Sequence, residues 1–200
     1  MISSGIMPRH VPEDPDLFFT EFFPAQYAAY PAFPRTTTLG SAAFEVTGVG
    51  AWSLRVAARR LEITRGIAPD CVLSLTTPAS DFGGLFVERA EEAIRSRGEL
   101  PDELRRVFFP LFIDERKKGI AESVDGGMIL LLKEDDTDYR LSITPGGKPG
   151  DSSKASVRLL LSDFLGLAAG KKKVPLLLAM GRISVRGDVG HALKLSALLG

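Results

Sequence analysis

Residues 180–195 read MGRISVRGDVGHALKL and combine a strand, a sharp break and an amphipathic helix. Ile183 and Val185 alternate with polar residues, which is the period-two pattern of a half-buried strand. Asp188 follows a glycine and is a good N-cap for a helix rich in leucine and alanine. Such a helix must bury its apolar face. This stretch therefore predicts a strand and helix that close an apolar cavity lined by a sheet from the preceding chain.

The composition is that of an ordinary globular protein. The 200 residues are 44% hydrophobic and 25% charged, and the formal net charge is zero, so no general attraction to nucleic acid is expected. Cys71 is the single cysteine, which excludes an intramolecular disulfide framework and is read as a buried small hydrophobe. No signal peptide is recognised, and no apolar run reaches the ~20 residues of a membrane span. We expect a soluble, cytoplasmic protein.

Hydrophobic periodicity predicts an alternation of helices and strands. The first helix, near Phe18, is expected to be interrupted at Pro24. Ser80-Asp81 and Asp102 are expected to cap two further helices, the second reaching Phe112. Strands are predicted at 44–49, 52–56, 61–63, 71–75, 128–133, 139–143 and 155–161, and the Gly/Pro/Ser-rich segment 145–154 is expected to be a mobile loop.

Two motifs occur twice in the sequence. RLEITRG at 60–66 matches RLSITPG at 140–146 in five of seven positions, and SDFGGL at 80–85 matches SDFLGL at 162–167 in five of six. The closing strand and helix occur once, after the second copy. We therefore predict a loose tail at 1–14, a truncated repeat at 15–98 and a complete repeat at 99–200.

The order of these motifs resembles the sterol carrier protein family, specifically the sterol-transfer (sterol carrier protein type 2) domain. The resemblance rests on the Trp52 hairpin, on Ala68-Pro69-Asp70-Cys71, on the repeated Ser-Asp-Phe and on Gly187-Asp188. It implies an α+β fold, here internally duplicated, whose mostly antiparallel, mixed sheet is covered by helices on one face. It also implies an apolar tunnel for a fatty acid, acyl-CoA, phospholipid or sterol, held without catalysis.

The candidate ligand-binding residues are apolar side chains of the second repeat. Leu159, Leu161, Leu176, Leu178, Ile183 and Val185 are assigned to the sheet, Met180 to the cavity mouth, and Phe164, Leu167, Leu193, Leu195 and Leu198 to helices. Each buried leucine contributes ~1.5–3 kcal/mol whether its neighbour is protein or lipid. The residues alone thus leave a packed core and a lined cavity both open, and the resemblance favours the cavity.

Catalytic, metal and cofactor sites have little support. His10 and His191 lack a second ligand at zinc spacing, and acidic residues 134–138 fit a hairpin tip better than a calcium loop. No phosphate-binding loop or nucleophile elbow is present. Lys171, Lys172 and Lys173 fit either a charged helix end or transient contact with a membrane surface.

The favoured interpretation is a lipid-binding or lipid-transfer protein. The alternative is an accessory protein with a side-chain-filled core that supports a lipid- or quinone-modifying enzyme. An enzyme is the least supported class. A monomer of two packed repeats and a homodimer both remain open.

Overall fold

The computed structural model describes residues 10–146 and 153–199. Predictions for residues 1–9, and for 147–152 of the Gly/Pro/Ser-rich loop, fall outside these ranges. Eight strands form the sheet: β1 Ser41–Thr47, β2 Gly50–Ala57, β3 Arg60–Arg65, β4 Cys71–Pro78, β5 Gly127–Glu134, β6 Thr137–Pro145, β7 Ser153–Leu160 and β8 Ile183–Gly187.

Seven helical stretches accompany the sheet in the described ranges. Two are composite, with a wider π-helical turn in the middle: α1 (Pro15–Leu17, Phe18–Phe22, Phe23–Ala29) and α2 (Ala79–Phe82, Gly83–Val87, Glu88–Arg97). The others are α3 Asp102–Arg106, α4 Glu115–Glu122, α5 Leu161–Ala168, α6 Val174–Ala179 and α7 Val189–Ser196, and a 3₁₀ turn spans Phe109–Leu111.

Both halves of the chain share one continuous mixed sheet. The strand order is β3-β2-β1-β4-β6-β5-β7-β8. The junction is the antiparallel pair β4–β6, in which Leu75 lies opposite Ile143. Apolar side chains on one face of the sheet form the core with the helices. The predicted α+β class and mixed sheet are confirmed.

The strand topology of the first half is repeated in the second. β1 pairs antiparallel with β2 and parallel with β4, while β5 pairs antiparallel with β6 and parallel with β7. A register irregularity recurs at the same place, between Ser41 and Ala42 and between Gly127 and Met128. Counting from it makes Phe44 equivalent to Leu130. A helix with the Ser-Asp-Phe motif in its first turn follows each unit, so the fold is internally duplicated.

The seven-residue match is nevertheless not a structural equivalence. Residues 60–66 form β3, the third strand of a meander, whereas 140–146 belong to β6, the second strand of a hairpin. Both are amphipathic strands that end at a glycine with positive φ, +93° at Gly66 and +72° at Gly146, so a shared local requirement produces the similarity. In the described ranges the first half lacks a counterpart of β8 and the second a counterpart of β3. The two edges left open pair with each other.

Aromatic rings fill the interior of the first half. Phe44, on β1, contacts Phe19, Phe82 and Phe86 of the first half and Phe108 from the segment that follows it, with ring centroids 4.8–6.4 Å apart. Such pairs contribute ~0.5–1.5 kcal/mol beyond their burial. Where the second half carries Leu130, the first half therefore has a large ring surrounded by other rings.

Three local predictions are corrected by the structure. Pro24 does not interrupt α1, because Phe23 N–H donates to Phe18 O across a wide turn and Pro24 lies in the first turn of the helical segment that follows. Ser80 and Asp81 lie inside α2, which begins after Pro78. Asp102 likewise lies inside α3, which ends at Arg106, and the chain then turns at Pro110 before α4 starts separately.

Candidate ligand-binding cavity

An apolar cavity of about 450 Å³ lies between the sheet and the helices of the second half. This volume is within the ~300–1,000 Å³ range of small-molecule sites. The sheet contributes Met128, Leu130, Val157, Leu159, Ile183 and Val185. Helices α5, α6 and α7 contribute Phe164, Leu167, Val174, Pro175, Leu178, Ala192, Leu193 and Ser196, and the lining also includes Arg116, Lys172 and Lys173.

The structure brings seven of the twelve candidate ligand-binding residues to the cavity wall: Leu159, Phe164, Leu167, Leu178, Ile183, Val185 and Leu193. Leu161, Leu195 and Leu198 are buried in the core and do not line it, and Leu176 and Met180 are exposed. Leu193 and Leu195, two residues apart on α7, therefore differ in environment.

The assignment of Leu176 and Leu178 to the sheet is wrong, because both lie on α6. Pro175 occupies the first turn of this helix, where its fixed φ suits the backbone and its missing N–H is not needed. Leu177, between them, is the buried member of the run. A strand would place it on the opposite face from its neighbours. Leu161, also assigned to the sheet, is the first residue of α5.

Sequence reasoning missed the residues that β5 and the start of α6 contribute. Met128 and Leu130 alternate along β5, and Leu130 lies opposite Val157 of β7 in the parallel pair. Their alternation was visible in the sequence, but the parallel neighbour of β5 was not, since parallel pairing needs a long crossover. Tertiary structure was needed to place them beside β7.

Helix α7 is fixed at its start by the two residues that precede it. The Asp188 side chain accepts a hydrogen bond from His191 N–H at 2.9 Å, so the predicted N-cap is confirmed. Gly187 has φ +86°, and a Cβ there would lie 2.3 Å from Lys154 O. Only glycine fits this junction between β8 and α7.

A buried carboxylate holds both ends of α6. Asp163, on α5, is fully buried and lies 2.5 Å from Lys172 Nζ and 2.9 Å from Arg182 Nη2. Lys172 precedes α6 and Arg182 follows it. Gly166 allows the lysine stem to cross α5, because a Cβ there would lie 2.7 Å from Lys172 Cδ. We call Asp163, Lys172 and Arg182 the Asp163 clamp.

The lysine triplet is mostly committed to ion pairs. Lys171 pairs with Glu103, and this hydrogen bond lowers the pKa of the Glu103 carboxyl. Lys172 belongs to the Asp163 clamp. Lys173 is exposed at the cavity wall, and no ion pair involves it within the described ranges.

Lys117 is a perturbed basic group on α4. Its Nζ donates hydrogen bonds to the carbonyl oxygens of Phe109, at 2.7 Å, and Phe112, at 3.3 Å. Burial lowers the pKa of Lys117 to about 8, against the opposing effect of the Asp114 charge. This lysine anchors α4 to the preceding turn.

Comparison with known proteins finds a family match in the second half of the chain. Residues 117–200 match the model of the SCP-2 sterol transfer family. The resemblance drawn from the motifs is confirmed there. The cavity wall comes from the same segment, except for Arg116 one residue before it.

Several solved structures are similar to the chain at low identity. Sterol Carrier Protein 2 from Yarrowia lipolytica (apo form) is 18% identical, with 40% of this chain and 76% of that chain covered and a TM-score of 0.34. Palmitated SCP2L2 from Aedes aegypti is 20% identical, with coverages of 40% and 85% and a TM-score of 0.32. Sterol carrier protein domain 2 of Helicoverpa armigera is 15% identical, with coverages of 60% and 85% and a TM-score of 0.32.

No match was found among curated proteins. Within residues 10–146 and 153–199, none of the helices combines the length and the apolarity needed to cross a lipid bilayer.

Proposed function

We propose that this protein binds and carries a lipid in the cavity of its second half without a covalent step. The observation that carries this proposal is an apolar cavity of about 450 Å³, walled almost entirely by the segment that matches the sterol transfer family. Fatty acids, acyl-CoA, phospholipids and sterols are the proposed ligand classes.

The apolar wall supports binding driven by transfer of the ligand out of water. At ~0.8 kcal/mol per buried CH₂, a chain of ~15 methylenes gains ~12 kcal/mol. Association costs ~4 kcal/mol or more. The remainder is close to the ~8 kcal/mol of a micromolar complex. No catalytic group is required for this activity.

We propose that the first half, residues 15–98, serves as a scaffold rather than as a second carrier. Its rings occupy the space beside β1, and Phe44 stands where the cavity wall has Leu130. The proposed boundary at Gly98 is supported by its position at the C-cap of α2, with φ +77°. The side-chain-filled alternative thus describes this half, which would stabilise the sheet against which the cavity is built.

Native mass spectrometry and displacement of a fluorescent fatty acid test the lipid proposal. We expect a lipid to co-purify, or the probe to be displaced by at least one lipid class. If purified protein carries no lipid and no class displaces the probe, the carrier function is wrong.

A pair of substitutions at equivalent positions locates the ligand. Val157→Phe adds a ring at the cavity wall and should weaken probe binding with little loss of stability. Leu75→Phe is the equivalent change in the first half, because Leu75 lies opposite Phe44 as Val157 lies opposite Leu130, and it adds a ring beside the packed Phe44. It should lower the unfolding free energy by ~1–3 kcal/mol while leaving affinity unchanged. Unchanged affinity of Val157→Phe would place the ligand elsewhere.

A further inference from the structure

We propose that helices α6 and α7 form a docking surface for an anionic lipid bilayer. This inference rests on the proposed function and names the partner surface from which the carrier takes its ligand. The surface consists of Leu176 on α6, Met180 at its C-cap, Val189 and Leu193 on α7, and two lysines, Lys173 at the N-cap of α6 and Lys194 on α7.

Exposed apolar side chains are concentrated on these two helices. Of eight large hydrophobic residues that are exposed in the described ranges, four lie between positions 176 and 193, and the two most exposed are Leu176 at 58% and Met180 at 57%. Spaced four residues apart, they share one face of the helical stretch. Val189 and Leu193 have the same spacing. Isolated exposed hydrophobics are ordinary, but two such pairs on helices that line the same cavity are consistent with an interaction surface.

The charge of the segment selects the partner. Between positions 171 and 194 there are six lysines and arginines and one acidic residue, Asp188. Lys173 and Lys194 are exposed at the two helices, and neither makes an ion pair in the described part of the chain. An apolar cluster flanked by such cations matches an anionic lipid surface, where apolar side chains enter the interface and cations meet headgroups.

The position of the surface connects it to the cavity. Lys173 and Leu193 line the cavity and are also exposed, so the proposed surface borders the cavity wall on two helices. Leu177 is the only fully buried residue of α6. The chain on either side of this helix is held to α5 through the Asp163 clamp. Docking here would bring the bilayer against the part of the cavity wall that α6 and α7 form. The lysine triplet predicted to touch membranes thus contributes through Lys173, and apolar residues of the helices provide the rest.

Vesicle flotation with phosphatidylcholine alone and with added phosphatidylglycerol tests this proposal. The wild-type protein should float with the anionic vesicles more than with the neutral ones. Leu176→Asp/Met180→Asp should bind anionic vesicles about tenfold or more weakly, since it removes two inserted side chains. The matched control is Val49→Asp/Ile67→Asp, which changes two exposed hydrophobics of the first half by the same charge and should float like wild type.

A variant that binds vesicles more tightly shows that reduced binding of the double variant is not due to misfolding. Leu176→Trp should bind anionic vesicles more tightly, with a blue shift of the added emission relative to the protein without vesicles. Absence of wild-type binding, or equal loss in both double variants, would overturn the proposal. A change of oligomeric state in Leu176→Asp/Met180→Asp would also overturn it, by showing that the surface binds protein.

Probe binding in buffer, without vesicles, separates this inference from the proposed function. Both double variants should bind a fluorescent fatty acid within about twofold of wild type, because neither changes a cavity-lining residue. Vesicle binding without probe binding would refute the carrier function but leave the docking surface standing. Probe binding without vesicle binding would refute the docking surface but leave the carrier function standing.

Discussion

Replacing Asp163 by asparagine should destabilise the protein far more than the loss of a surface ion pair. The side chain is fully buried and holds two cations at 2.5 and 2.9 Å. Breaking a buried ion pair by removing one partner costs ~3–5 kcal/mol. Lys172 and Arg182 are 32% and 37% exposed, so they regain part of their hydration, and asparagine still accepts one hydrogen bond. We therefore expect a loss of ~2–4 kcal/mol.

The matched control is an exposed pair in the first half. Arg55 and Glu62 are 2.7 Å apart, but their side chains are 54% and 43% exposed. Pairs of this kind contribute ~0–1 kcal/mol. Glu62→Gln removes the same charge and should cost no more than that. Since both substitutions remove one negative charge, the difference between their unfolding free energies measures the effect of burial.

Urea unfolding measures both variants, with the midpoint compared at unchanged slope. Release of α6 in Asp163→Asn should also speed the exchange of a bound fluorescent lipid. If Asp163→Asn costs no more than Glu62→Gln, the Asp163 clamp does not stabilise the wall of the cavity. A double-mutant cycle with Arg182→Gln then shows whether the two groups are coupled at all.

Two further predictions concern the pH dependence of folding and the packing of the two halves. Lys117 has a folded-state pKa of about 8, below the 10.5 of the unfolded chain. The unfolded state therefore binds more protons between these values, and stability should rise from pH 8 to 10.5 by up to ~3 kcal/mol. Urea unfolding at a series of pH values should show this rise in wild type and a smaller one in Lys117→Met; equal slopes would contradict it. Phe44→Ala should lower the free energy of unfolding by ~3–5 kcal/mol in the same assay. Leu130→Ala should lower it by ~2 kcal/mol or less, because Leu130 already faces a cavity. The reverse order would show that the first half is the less densely packed one.

The sequence alone predicted the local elements that carry a strong period or a specific cap. The β8 to α7 junction is an example, because Asp188 caps the helix through a bond to a residue only three positions away. Six side chains of the cavity wall were likewise named from alternation and helical spacing, and a seventh, Leu178, was named on a strand assignment that the structure corrects. Both signals are local, so residue order alone carries them.

Elements without such a signal were placed wrongly or missed. The run Leu176 to Leu178 fits neither period, and Pro175 decided it in favour of a helix. The sequence also did not show which leucines are exposed. Leu193 is exposed and Leu195 is buried because they point in different directions from α7. Met128 joined the wall through a strand order that sequence spacing does not encode.

Sequence by itself therefore predicted an α+β protein with a terminal strand and capped helix, and the strand topology supplied the equivalence of the two halves. Tertiary structure alone decided that the two halves share one sheet through the β4–β6 pair, that rings fill the first half, and that a cavity remains in the second. The physical reason is that apolar residues gain the same free energy against protein or ligand. Only the distances between elements determine whether space is left between them.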